Sequence, residues 1–260
     1  LIGLVGSEMC IRDRFNGCCF ADLDLKQQGV IEDFQLLFYI IQPPTPERVK
    51  YDIFDRVNRG GTPLNKQEMR NALYRGRCTR MLDKLCCSPE FLIATGRSIN
   101  KERMKDQYVV LRAMAFLMLH RGEFKDIPAL QYRGDIDDFL ARFMVYVNDN
   151  APEKLIVDYE NLFIRCMQIS YDLLGENGFR FSGNGIRRPI NMPLFEALSY
   201  LFSFVPEKID YTWASRLILD IESVKEEFDD SRYFSGNIDS TTSVSFRFDR
   251  MDKIINRIQL

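Results

Sequence analysis

The stretch FDRVNRGGTPLNKQEMRNALYRG, residues 54–76, constrains this chain more than any other. Gly60-Gly61 stops a helix, because adjacent glycines lose the most backbone entropy in one and tolerate positive φ. Thr62-Pro63 then signals a new start: a hydroxyl that can cap, followed by a proline whose fixed φ suits a first turn. The sequence predicts a helix over 46–58 opened by Thr45 and Pro46, a sharp corner, and a helix over 63–75. Val49, Ile53, Phe54 and Val57 give the first helix an apolar face. Met69, Ala72 and Leu73 do so for the second, with Gln67, Arg70, Asn71 and Tyr74 on another face. Gly76 reads as the stop.

Around this corner the pattern is mostly helical. Candidate helices cover 78–86, 88–95, 100–121, 134–149, 152–175, 193–204, 207–229 and 247–258. One strand is predicted over 33–42, apolar on both faces and therefore buried. Pro43, Pro44 and Pro46 break it. Residues 121–135 read as a linker, 180–191 as a Gly-rich loop carrying Arg180, Arg187 and Arg188, and 235–245 as a polar loop. The fold class is mainly α: the remnant of a small α+β domain over 15–126, then a helical bundle over 127–260.

Hydrophobic residues make up 46% of the 260 and charged residues 28%, with net charge −2. That is the mix of a globular chain without the overall basic field that nucleic acid would attract. The longest apolar run, LLFYII at 36–41, is strand-sized, so no membrane partner is expected. Seven cysteines (10, 18, 19, 78, 86, 87 and 166) include two adjacent pairs, which suit neither a disulfide framework nor a CxxC zinc site. Reduced thiols in the cytoplasm are the expectation. The single histidine, His120, is expected at a cap or the surface. Trp213, Tyr211 and the phenylalanines are expected in the core. Arg103 with Asp106, and Lys105 with Arg112, recur at helical spacing; the readings are an intrahelical ion pair, or contact with a site or DNA.

LVGSEMCIRDR, residues 4–14, back-translates without a gap into a transposon adapter used for sequencing libraries. Residues 1–14 are therefore expected to be adapter-derived and are set aside from fold reasoning. Natural sequence is expected from Phe15, in mid-domain.

The corner supports two chemistries. As a plain helix-helix turn it needs only the glycines. As a phosphate-facing loop it offers close backbone approach at Gly60 and Gly61, the N–H groups of a helix start, Asn58 as a hydrogen-bonding group, and Arg56 and Arg59 as bidentate grips. It is not a Walker loop, since the GxxxxGK[ST] lysine and hydroxyl are missing.

The block YDIFDRVNRGGTPLNKQEMRNALYRG resembles the second signature of the GmrSD-type restriction endonuclease N-terminal domain family. Phe54, Asn58 and Leu64 meet its Phe-x-x-x-Asn-x-x-x-x-x-Leu pattern, and FNGCCFADL and RMKDQYVVLRAMAFLML are similar to the flanking segments. The likeness spans about 15–120. It implies a ParB/sulfiredoxin-like core with an appended helical region. It also implies binding and hydrolysis of a nucleoside triphosphate with a divalent cation such as Mg2+, commonly in defence against phage DNA. The family's first signature, Asp-Gly-Gln-Gln-Arg, does not occur here; LKQQG at 25–29 is no substitute. The chain is therefore expected to carry half a site and to be inactive alone. By resemblance Asn58 is the nucleotide or metal-water contact, Arg56, Arg59, Gly60 and Gly61 face phosphate, and Gln67 and Glu68 face the same pocket. Phe54 and Leu64 pack. One histidine leaves no His-Asn-His nuclease domain, so a nuclease domain or subunit, or DNA, is a possible partner. The alternative is a non-catalytic helical module that binds protein or DNA.

Overall fold

The chain divides into two compact units, residues 1–50 and 51–260. The computed structural model describes residues 17–38, 40, 42, 49, 52–53, 56, 63–181, 187–206, 208 and 210–258.

In the first unit, Phe20–Asp22 form a 3-10 turn and α1 spans Leu25–Glu32. The Asp24 carboxylate accepts from the Gln27 N–H at 2.8 Å, and the Gln27 side chain accepts from the Asp24 N–H at 3.2 Å. This reciprocal cap satisfies two N–H groups that a helix start leaves open. Gln28 Nε2 donates to the carbonyls of Phe20 and Leu23. Both glutamines of LKQQG thus serve local structure. α1 buries no residue, and Leu25, Val30 and Ile31 are exposed.

The strand expected over 33–42 does not form among the described residues. Asp33 closes α1, residues 34–38 have no regular structure, and Phe34, Leu36, Leu37, Phe38 and Ile40 are exposed. A run apolar on both faces is a stable strand only between neighbours that take its hydrogen bonds and cover both sides. The described residues supply neither.

In the second unit the described helices are α2 (Lys66–Leu73), α3 (Arg77–Cys86), α4 (Pro89–Ala94), α5 (Lys105–His120), α6 (Ile136–Asp149), α7 (Glu153–Leu174), α8 (Met192–Phe202), α9 (Tyr211–Asp230) and α10 (Thr241–Ile258). Asn65, Ser88, Asp135, Asn191 and Asp210 each accept a backbone N–H at a helix start, the role their short polar side chains favour. The mainly helical class holds. The helix expected over 46–58 falls largely outside the described residues; 49, 52, 53 and 56 are helical.

Two helices form the centre. α5 is apolar around most of its circumference from Val109 to Met118, and α8 from Leu194 to Phe202. A helix apolar all round must be buried. They pack on each other, while α3, α6 and α7 contact α5 and α7 and α10 contact α8. Phe91, Phe163, Phe179 and Phe195 form one aromatic cluster of this core; Phe116, Tyr132, Phe139 and Phe248 form another. The buried apolar cluster is continuous across 126–127, with Phe124 and Leu130 both inside it.

Gly76 acts differently from a stop. It precedes α3 with extended backbone, and a Cβ there would lie 2.6 Å from Asn148 Oδ1. Asn148 bridges the α2–α3 turn, donating to the Tyr74 carbonyl and accepting from the Cys78 N–H, both at 2.9 Å. The absent side chain at residue 76 lets that bridge close.

Four further expectations are corrected. α10 starts at Thr241, six residues early, because Ser240 Oγ accepts from the Ser243 N–H at 3.1 Å and turns the polar loop into a cap. Arg180 is buried rather than presented on a loop; it donates to the carbonyls of Glu176, Thr95 and Arg188 and so ties the segment to α4's end. Tyr211 is exposed on the first turn of α9. His120 is neither cap nor surface group: its ring stacks on Phe248 at 3.6 Å, and burial with the Arg247 charge lowers its pKa to about 3.

Cys78, Cys86 and Cys166 are buried thiols, while Cys18, Cys19 and Cys87 are exposed. Burial pushes Cys166 up to about 12 and raises Cys78 and Cys86 further, so these three stay protonated and inert. Among the described residues, no helix is long and apolar enough to cross a membrane.

Candidate functional site

Of the residues expected to meet a nucleotide, Asn58, Arg59, Gly60 and Gly61 lie outside the described residues. Arg56 is helical and exposed.

α2 starts at Lys66, not at Pro63. Asn65 Oδ1 accepts from the N–H groups of Gln67 (2.8 Å) and Glu68 (2.9 Å), and Glu68 Oε2 accepts from the Asn65 N–H at 2.6 Å. Asn65-x-x-Glu68 is a complete capping box, a stronger start than Thr62-Pro63 because it satisfies N–H groups from both sides. Glu68 is thus committed to the cap and also pairs with Arg103 at 3.0 Å. It does not line the hollow described below. Burial works against its charge, but the Arg103 hydrogen bond, the Asn65 N–H and the Arg103 charge outweigh it and hold the carboxyl below its ordinary value.

The faces of α2 are also not as expected. Gln67 and Arg70 are buried together with Met69, and Ala72 is exposed. The polar face turns inward because it finds polar partners there. Gln67 Nε2 donates to Asn71 at 2.9 Å, and Gln67 Oε1 accepts from Arg70 Nη1 at 3.0 Å. Arg70 Nη2 pairs with Asp137 in the first turn of α6, which also takes the Lys66 ammonium. Asn71 donates to Gln107 in α5, and Gln107 donates to Asp83 at 2.7 Å.

The opposite wall is the approach to α5. Arg103 (φ 55°) and Met104 (φ 58°) are consecutive non-glycine residues in the left-handed region, a conformation that costs energy and needs outside support. Arg103 is held by its carbonyl accepting from Asn65 Nδ2 at 2.7 Å and its guanidinium donating to the Pro63 carbonyl at 2.6 Å. One turn on, Tyr108 has the Arg70 and Arg112 guanidiniums each 5.5 Å from its ring centroid, and its hydroxyl accepts from Arg112 at 3.1 Å.

Between α2 and this turn lies a hollow of about 260 Å³, lined by Lys66, Gln67, Arg70, Arg103, Lys105 and Tyr108 among others. Its charged lining residues are all cations. Asp137 and Glu68 answer Lys66, Arg70 and Arg103 from behind, while Lys105 makes no ion pair among the described residues. Arg70 is fully buried, and its Nε has no hydrogen-bond partner among them. The wall that the hollow exposes is nevertheless largely apolar.

Among the described residues, Gln67 is the one expected site residue that lines this hollow. The sequence gives no signal for Lys66, Tyr108 or Asp137 here, and it places Arg70 only on a face other than the apolar one. The readable signal was the set Gln67, Arg70, Asn71, Tyr74 at three- and four-residue spacing, a polar stripe long enough to be a binding face. The expected helical ion pair of Arg103 is replaced by one with Glu68, and Arg112 pairs with Glu196 and Asp239.

Among the described residues, no three His, Cys, Asp or Glu side chains are grouped to hold a metal ion. Comparison of the chain with protein-family models, curated proteins and solved structures gave no match.

Proposed function

We propose that this chain is part of a nucleotide-handling protein of the GmrSD type, acting in DNA restriction or phage defence in the cytoplasm. In this reading it binds the phosphates of a nucleoside triphosphate but does not hydrolyse it alone, because the Asp-Gly-Gln-Gln-Arg segment is missing from its sequence. A nuclease domain or subunit, or DNA, is the partner this reading requires. The observation that carries it is that α2, the helix of the stretch that resembles the second signature, brings Gln67 and Arg70 to the edge of a hollow whose charged residues are all cations.

Thermal unfolding with and without ATP and Mg2+ tests the reading, since a ligand that binds the folded state raises its apparent stability. A rise in midpoint without phosphate release is the expected result. No shift with any nucleotide sinks the reading. Hydrolysis that disappears in Asn58→Ala keeps the nucleotide but removes the missing-half argument.

A second reading, a non-catalytic helical interaction module, draws on one observation: three of the four cations of the hollow already hold carboxylates. It predicts no nucleotide-dependent shift. If such a module bound DNA, affinity would fall steeply with salt as counterion release weakened.

A further inference from the structure

We propose that the run at 34–42 is the edge on which a second copy of this chain docks, by antiparallel strand pairing about a two-fold axis. The proposal is independent of the nucleotide reading.

The edge is open. Among the described residues, Gln35 to Phe38 make no backbone hydrogen bond to one another or to any other segment. Phe34, Leu36, Leu37, Phe38 and Ile40 are each between 64% and 81% exposed. No charge stands between Asp33 and Glu47, and no proline before Pro43. An edge that stays single is commonly blunted by a lysine or a proline. This run has neither, and its aromatic and branched side chains favour a strand.

The area suits a partner of the same kind. Leu25, Val30 and Ile31 of α1 are exposed in the same unit. With the five side chains of the run they offer on the order of 1,000 Å², where a stable interface takes roughly 800 Å² from each partner. An identical run sets apolar side chains against apolar side chains and buries no charge. Antiparallel pairing of two copies is self-complementary and closes at two, as an isologous interface does.

The sequence sets the register. Gln35 and Gln42 bracket the apolar run LLFYII, 36–41. One antiparallel alignment alone matches that run with its copy from end to end. It sets Leu37 directly opposite the partner's Ile40, and Ile40 opposite the partner's Leu37. A slip of one residue would set an apolar side chain against a bracketing glutamine and exchange the two faces of the strand.

The experiment uses the full chain in sedimentation velocity over a wide range of concentrations. A species of twice the chain mass is expected, in equilibrium with the monomer. Leu37→Lys and Ile40→Glu should each weaken association more than about thirtyfold, the scale of losing an apolar anchor at the centre of an interface. Both positions are exposed, and helical circular dichroism checks that each variant keeps the helical unit. The double variant Leu37→Lys/Ile40→Glu is the sharper test, because the register joins each lysine to the partner's glutamate. Within one strand, residues 37 and 40 point to opposite faces and do not pair. The double variant should associate about tenfold more tightly than either single variant, since opposed charges replace uncompensated ones. A chain that stays monomeric overturns the docking edge, and so does association that neither single variant weakens. A double variant no tighter than the singles overturns the antiparallel register. Growth beyond the dimer overturns the closed two-fold pair.

Discussion

Two charged clusters meet at Tyr108, and they are built to opposite specifications. Behind it, Arg112, Glu196 and Arg247 join α5, α8 and α10 with side chains no more than 1% exposed, and Asp239 adds a second carboxylate to Arg112. Burial works against the Arg112 charge, but Glu196, Asp239 and Tyr108 outweigh it and hold the guanidinium protonated. In front, Lys66, Arg103 and Lys105 stand in water around the one buried cation, Arg70. A sealed cluster has already exchanged water for fixed partners, so its loss is felt as stability. An open cluster has not, so it contributes little to folding and remains available to a ligand.

The largest test of that contrast is Glu196→Ala. It leaves two buried guanidiniums facing each other, and the expected loss is about 3–5 kcal/mol in urea unfolding. Replacing Arg112, Glu196 and Arg247 together by Met, Leu and Met should be far milder, and a loss as large as the single variant's would show that the triad is more than compensated charge.

His120 borders the sealed cluster and gives it a pH dependence. Its folded pKa is lowered from 6.5 to about 3, so between those values the unfolded chain holds more protons than the folded one. The associated stability is complete above pH 6.5 and falls as pH drops toward 3, by at most about 1.4 kcal/mol per pH unit. His120→Leu should flatten the slope in a pH series of denaturant melts. A slope that survives belongs to the carboxylates instead.

Smaller still is Asn65→Ala, which removes the α2 cap and should cost about 1 kcal/mol. Smallest is Lys66→Ala, which should change stability by no more than about 0.5 kcal/mol. A larger loss would mean that the front cluster is structural, and the contrast between the two would fail.

The sequence showed most of the helices because their signals are local. Ser88-Pro89 marked α4 within a residue or two, and the unbroken apolar run of α5 marked a central helix. The site was harder to read because its partners are distant in the chain. A periodicity argument groups Gln67, Arg70 and Asn71 on one face, but it cannot know that Asp137 and Gln107 wait on α6 and α5. The start of α2 is written in the sequence twice, as Thr62-Pro63 and as Asn65-x-x-Glu68, and the reciprocal capping box prevails because it satisfies N–H groups from both sides. The run at 33–42 shows the opposite limit. Its composition speaks for a buried strand, yet a ladder needs a second strand, and composition does not supply one.

The thiols give a use to a feature that is chemically inert. Cys86 and Cys87 are neighbours in sequence, one sealed under α3 and one open to water. Trypsin would release both on a single peptide, residues 85–97, bounded by Lys84 and Arg97. Brief alkylation of the intact protein then writes one label on that peptide, and a second label appears only on molecules in which α3 has lifted away. The ratio of doubly to singly labelled peptide is an internal clock for opening of the helical unit. It needs no engineered cysteine, and it can be read with nucleotide present or absent.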